Sequence, residues 1–215
     1  MTVAVVDFGM GNLFSVQQAL ARAGLESVLT DDPVVIERAS AVVLPGMGAF
    51  GDAMAELHRR GLVEPVRRAA KSNKPFLGIC LGLQLLFEES AEFGRHEGLG
   101  VIRGKVVRFE SPVQDGVPLK VPHVGWTAIY TPQSKPTAWD ETPLAGIPEG
   151  TRAYFVHSFY AVPSAASVVV AVSRYGQLEY ASAVNHQNVF ACQFHPEKSG
   201  ARGIEIYRNF GKSIR

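Results

Sequence analysis

The first half of the chain alternates short apolar runs with stretches in which apolar residues recur every three or four positions. Val3 to Val6 is uninterrupted and largely β-branched, the pattern of a strand buried on both faces. Leu13, Val16, Leu20 and Ala23 then follow at helical spacing, and Gly24 closes that helix. Ala41 to Leu44 reads as a second strand ending in Pro45-Gly46, and Gly51 to Ala70 as a helix broken around Gly61. Phe76 to Ile79 is a third strand. Leu81 to Glu89, with Leu81, Leu85 and Leu86 on one side, is predicted to be helical. This rhythm predicts an α/β fold: a doubly wound, mostly parallel sheet flanked by helices.

The second half changes character. Val101 to Phe109, carrying Gly104, reads as a hairpin, and Leu119 to Tyr130, Ala153 to Val156, Val168 to Val172 and Val189 to Phe194 read as strands. They predict an antiparallel extension folded onto the same domain, followed by a closing helix from about Ala201 to Phe210. The proline-rich stretch from Thr131 to Pro148 reads as a surface excursion. With no repeat or low-complexity tract, residues 1–215 are expected to form one domain.

Composition narrows the function classes. A hydrophobic fraction of 47% against 19% charged residues supports a sizeable core and excludes global disorder. The 21 basic and 20 acidic residues nearly cancel and form no basic run, so neither nucleic acid nor an anionic membrane is an expected partner. Apolar runs such as Val168 to Val172 fall far short of the ~20 residues that span a bilayer. The N-terminus lacks the basic region of a signal peptide. Two cysteines make no disulfide framework, and the expected compartment is the reducing cytoplasm. His58, His96, His123 and His186 show no metal spacing, and Gly9-x-Gly11-Asn12 lacks the third glycine of a dinucleotide loop. No metal or cofactor is expected.

The most informative segment is Gly78-Ile79-Cys80-Leu81-Gly82, between an apolar strand and a helix. It is the cysteine version of the Gly-x-Ser-x-Gly elbow, in which the nucleophile sits at the apex of a tight strand-to-helix turn. Side chains at Gly78 and Gly82 would collide with neighbouring elements. Free N–H groups at the helix start favour a thiolate and can hold an oxyanion. Taken alone, the segment also fits a buried structural cysteine. A catalytic cysteine needs a distant histidine, and Gln193-Phe194-His195-Pro196-Glu197 supplies one at a strand end. Alternation puts Ala191, Gln193 and His195 on one face and Phe190, Cys192 and Phe194 on the other. Glu197 can hold the imidazole in one tautomer and support its charge. Cys192 is expected to be buried and inert.

Together these segments resemble the class I (triad) glutamine amidotransferases. Four further stretches narrow the resemblance: Asp7-Phe8-Gly9-Met10-Gly11-Asn12-Leu13, Pro45-Gly46-Met47-Gly48-Ala49-Phe50-Gly51, Pro122-His123-Val124-Gly125-Trp126, and Tyr154-Phe155-Val156-His157-Ser158-Phe159-Tyr160. In that order they are similar to the glutaminase subunits of imidazole glycerol phosphate synthases, over essentially the whole chain. Two departures stand out: Thr127 where the family commonly has Asn, and Phe159 where it has Tyr.

The resemblance implies that Cys80 attacks the side-chain amide of glutamine and that His195, supported by Glu197, protonates the leaving nitrogen and then activates water. It implies oxyanion donors from Leu81 and from the 45–48 loop, near Met47 or Gly48. Gln84, Glu92 and the His157-Ser158-Phe159 stretch would contact glutamine, with Phe159 acting through its backbone. Asn12, capping the first helix, and Trp126 would lie at a partner interface. The implied partner is a (β/α)8-barrel cyclase subunit, forming a heterodimer that uses the ammonia.

Overall fold

The apolar runs of the first half become strands of one seven-stranded sheet in the computed structural model, which describes residues 1–214. The first half contains β1 (Val3–Val6), α1 (Leu13–Arg22), β2 (Ser27–Thr30), α2 (Pro33–Arg38), β3 (Ala41–Leu44), α3 (Phe50–Arg59), α4 (Val63–Ala70), β4 (Phe76–Ile79) and α5 (Leu81–Leu85). Then come β5 (Phe87–Ser90), β6 (His96–Glu97), β7 (Ile102–Arg108), β8 (Val113–Gln114), β9 (Val117–Pro118), β10 (His123–Ala128) and β11 (Arg152–His157). The chain closes with β12 (Phe159–Pro163), β13 (Val169–Tyr175), β14 (Leu178–His186), β15 (Val189–Cys192) and α6 (Gly200–Lys212). The main sheet runs β13-β14-β15-β4-β3-β1-β2. Its pairs from β15 across to β2 are parallel, and the β13–β14 and β14–β15 pairs are antiparallel. The predicted parallel sheet with an antiparallel extension is therefore present.

Period-two alternation divides the strands between two cores. Ala4, Val6, Val42, Leu44, Phe76, Val189 and Ala191 face one, with α3, α4 and α5 packed on it. Val3, Val5, Val43, Leu77, Ile79, Phe190 and Cys192 face the other, which α1 and α6 cover. Both faces are buried, which is why these strands read as continuous apolar runs.

Several elements differ from expectation. The helix after Cys80 stops at Leu85, because the carbonyls of Leu85 and Leu86 accept from the N–H groups of Leu99, Val101 and Ile102. Phe87 to Ser90 is instead a strand paired in parallel with β7. The Val101–Phe109 hairpin is a single strand, β7, between β5 and β12. Its Gly104 marks no turn: a Cβ there would lie 2.4 Å from the Val162 carbonyl oxygen of the neighbouring strand. The Leu119–Tyr130 strand is regular only from His123 to Ala128, with Tyr130 bridging to Val172. The 131–148 excursion is not merely superficial. It buries Ala138, Trp139, Leu144 and Ile147 in the second core, and Trp139 Nε1 donates to the Val170 carbonyl at 2.7 Å. The break at Gly61 is real and separates α3 from α4.

The feature that builds the site is the insertion of β15 beside β4. Cys192 is in register with Ile79, so both strands end at the same edge of the sheet. The residues that follow them, Cys80 and the 193–197 turn, emerge together, where open α/β sheets place their ligands.

Candidate active site

Cys80 sits at the apex of the β4–α5 turn with φ 54° and ψ −107°, a conformation that L-residues rarely adopt. The turn can be that sharp because of its glycines. A Cβ on Gly82 would stand 1.8 Å from the Leu44 carbonyl oxygen, and one on Gly78 would stand 2.9 Å from the Ala191 Cβ. The Cys80 N–H is tied to the Cys192 carbonyl at 2.8 Å, and its own carbonyl accepts from Leu83 and Gln84. The side chain is thus held at the mouth of a short helix, whose first N–H groups belong to Leu81 and Gly82.

His195 follows the last residues of β15 and is 5% exposed. Its N–H bonds the Tyr154 carbonyl at 2.9 Å, and its carbonyl accepts from Ser199 Oγ at 2.7 Å. Ser199 Oγ also accepts from Tyr154 N, so one hydroxyl clamps the turn to β11. The ring nitrogen Nδ1 meets Glu197 Oε1 at 2.7 Å, and the Glu197 side chain is only 2% exposed. The other nitrogen, Nε2, is buried without a hydrogen-bond partner of ordinary geometry. The Cys80 sulfur is its near neighbour. Burial disfavours the charged ring, but the Cys80 sulfur and the Glu197 carboxylate outweigh it and raise the His195 pKa to about 10. The pocket favours the charged, imidazolium form of His195.

A cavity of about 240 Å³ opens over this pair, lined by Met47, Gly48, Cys80, Leu81, Gln84, Glu92, Pro122, Val156, His157, Ser158, Phe159 and His195. All three triad candidates, both oxyanion segments and the five substrate-contact candidates therefore converge, Glu197 lying behind His195. Gly48, at φ 108°, gives the 45–48 loop a bend open to few other residues. Glu92 lies in the turn after β5. Its Oε2 accepts from Phe50 N, the first N–H of α3, at 2.6 Å, where the helix dipole favours a carboxylate.

Gln84 is nearly buried, and Nε2 uses both its hydrogens within the protein, on the Phe159 carbonyl at 2.9 Å and on Gln193 Oε1 at 3.0 Å. Only its Oε1 is left for a ligand. His157 Nδ1 donates to the same Phe159 carbonyl at 2.8 Å, and the Ser158 carbonyl accepts from Phe109 N. Of the 157–159 backbone expected to contact substrate, these two carbonyls already accept from protein donors. The hydroxyl that Phe159 lacks is immaterial to its carbonyl. Two buried residues outside the predicted set also belong to the site, Gln193 and Ser199. Alternation along β15 already placed Gln193 on the His195 face; Ser199 gave no comparable signal.

Neither interface candidate lines that cavity. Asn12 caps α1, its Oδ1 accepting from Ser15 N at 3.3 Å. It lines a narrow crevice with Pro45, Met47, His195, Glu197 and Lys198. Lys198 Nζ stands over the Tyr154 ring at 5.6 Å, and Trp126, 49% exposed, packs edge-on against that ring at 6.0 Å. Among the described residues no three His, Cys, Asp or Glu side chains converge as metal ligands. Nor is any helix there long and apolar enough to cross a membrane.

A thiol at a strand-to-helix elbow, faced by a histidine and a buried glutamate at the edge of a doubly wound sheet, is the arrangement expected of the triad amidotransferase class. The chain belongs to that class: the family described as glutamine amidotransferase class-I matches residues 4–214. It is similar to the imidazole glycerol phosphate synthase subunit HisH of Syntrophotalea carbinolica, 50% identical over 210 residues, covering 97% of this chain and 98% of the relative. The HisH subunit of Geobacter metallireducens is 47% identical over 213 residues, covering 99% and 98%. Among solved structures, PurLQS from Thermotoga maritima matches with a TM-score of 0.74 at 20% identity, over 100% of this chain and 99% of that one, a likeness of fold alone.

Proposed function

We infer that the chain is a glutaminase subunit, one domain from end to end, that hydrolyses glutamine to glutamate and ammonia. The observation that carries this reading is the pairing of a strained, cavity-facing Cys80 with a His195 ring anchored by Glu197 at 2.7 Å. The Cys80 thiolate adds to the side-chain amide carbon, and the oxyanion is held by N–H groups of Leu81 and of the 45–48 loop at Met47 or Gly48. His195 gives its proton to the nitrogen, the C–N bond breaks and ammonia leaves a γ-glutamyl thioester. Water, deprotonated by His195, then cleaves the thioester and restores the thiolate. Glu92 and the Oε1 of Gln84 are acceptors suited to the substrate's ammonium group, and His157, Ser158 and Phe159 form the far wall.

The ammonia serves a partner, in our reading the cyclase subunit of imidazole glycerol phosphate synthase, a (β/α)8 barrel. The heterodimer makes imidazole glycerol phosphate and an aminoimidazole carboxamide ribonucleotide for histidine biosynthesis in the cytoplasm. Support comes from the HisH names of the relatives, from the half-exposed Met47, which lines the crevice with Asn12 and His195, and from the half-exposed Trp126, which packs on Tyr154. The test is ammonia release from glutamine by wild type and Cys80→Ser, each with and without the cyclase. Wild type is expected to be slow alone and much faster with the cyclase, and Cys80→Ser inactive in both. Activity in Cys80→Ser would overturn the nucleophile, and indifference to the cyclase would overturn the coupling.

A further inference from the structure

Gln193 is fully buried, and its side-chain amide lies against the sulfur of Cys80: Nε2 donates to Sγ at 3.5 Å. Interchanging the amide oxygen and nitrogen would reverse the meaning of that contact, but the surroundings forbid it. The Phe159 carbonyl can only accept, so the atom of Gln84 that meets it at 2.9 Å must be Nε2. The second hydrogen of that nitrogen points at Gln193, 3.0 Å away, which must present its oxygen. The amino group of Gln193 is therefore left facing the sulfur. A backbone carbonyl fixes one amide, and that amide fixes the next.

The direction matters because a thiol and a thiolate want different neighbours. A neutral thiol needs an acceptor for its hydrogen, and the Val156 carbonyl offers a poor one at 3.9 Å. A thiolate needs donors, and hydrogen bonds to ionised groups are the stronger kind. We propose that Gln193 is a catalytic residue that donates a hydrogen bond to the Cys80 thiolate and, through Gln84 and the Phe159 carbonyl, holds the sulfur in its attacking position. It complements His195, which supplies the counter-charge, whereas Gln193 supplies an uncharged donor that no proton transfer consumes. This inference rests on Cys80 being the nucleophile.

The test is the pH dependence of Cys80 alkylation by iodoacetamide, which requires no turnover, in the full-length protein. Cys192 is fully buried with its thiol pKa pushed well up by burial, so it does not compete, and Cys80→Ser gives the blank. Gln193→Met keeps the length and removes the donor. The pH of half-maximal alkylation is expected to rise by about one unit, with an approximately tenfold slower reaction at pH 7. Gln193→Glu keeps the volume and the bond from Gln84 but turns a carboxylate on the sulfur, and is expected to shift the profile further. It carries the same test if Gln193→Met fails to fold. A profile coincident with wild type, or faster alkylation in the variant, would overturn the proposal. If wild-type protein is alkylated no faster at Cys80 than an ordinary thiol, the nucleophile assignment fails first, and the two failures are thus told apart.

Discussion

Replacing Glu197 with Gln removes one charge from the triad while keeping its shape. The amide oxygen can still accept from His195 Nδ1, so the ring keeps its tautomer and its place. What is lost is a charge-assisted bond of 2.7 Å between side chains that are 7% and 2% exposed, where solvent screens little. Hydrogen bonds to charged groups contribute about 1.5–3 kcal/mol, and 1.36 kcal/mol corresponds to one pKa unit, so the His195 pKa should fall by about 1–2 units. His195 must carry its proton when the amide nitrogen departs, so activity declines as pH rises through that pKa. Wild type, with His195 raised to about 10, should hold its activity well into alkaline solution. In Glu197→Gln the alkaline limb of kcat/KM for ammonia release should move down by about 1–2 units, with a loss of roughly 10- to 100-fold at its optimum. The raised pKa also contributes stability that is complete below pH ~6.5 and is lost as pH rises toward 10, and the variant should lose it earlier. A limb that stays in place while the rate drops would show that Glu197 only props the turn. An unchanged rate would remove it from the mechanism.

Acid should destabilise the fold through two other histidines. Burial pushes His157 down to about 3 and His123 to about 4, so both are neutral in the folded protein. Their stability contribution is intact above pH ~6.5 and is lost as pH falls toward 4, by about 2 kcal/mol per histidine between pH 6.5 and 5. Urea unfolding at those two pH values checks this, and equal free energies would refute it. Trp126→Ala should weaken capture of the cyclase by about 2 kcal/mol, roughly thirtyfold in Kd by calorimetry, and unchanged affinity would place the interface elsewhere.

Residues that answer to one strong local constraint were legible in the sequence. Val3–Val6, Ala41–Leu44 and Phe76–Ile79 are buried on both faces and could be little else. The Gly78–Gly82 elbow and the 195–197 turn carry their chemistry in their order. What failed depended on distant partners. Leu81 to Glu89 has helical periodicity, yet residues 99–102 capture the carbonyls that a longer helix would need, and the chain turns into β5. Gly104 looks like a turn from its own neighbours and is a close approach only once Val162 is beside it. The edge strand β2, half-exposed throughout most of its length, has too little apolar contrast to stand out. Gln193 shares the His195 face by alternation, but its contact with Cys80 exists only because β15 lies next to β4.

The position of β15 also sets when the molecule becomes reactive. Synthesis delivers β4 and its cysteine more than a hundred residues before β15, the strand that must slot between β14 and β4. Until it does, β4 has an uncovered flank, open to wrong pairing, and the nucleophile has no base. A chain not yet extended past Glu197 therefore carries the cysteine of the proposed triad without its histidine and glutamate, and on that reading is chemically silent.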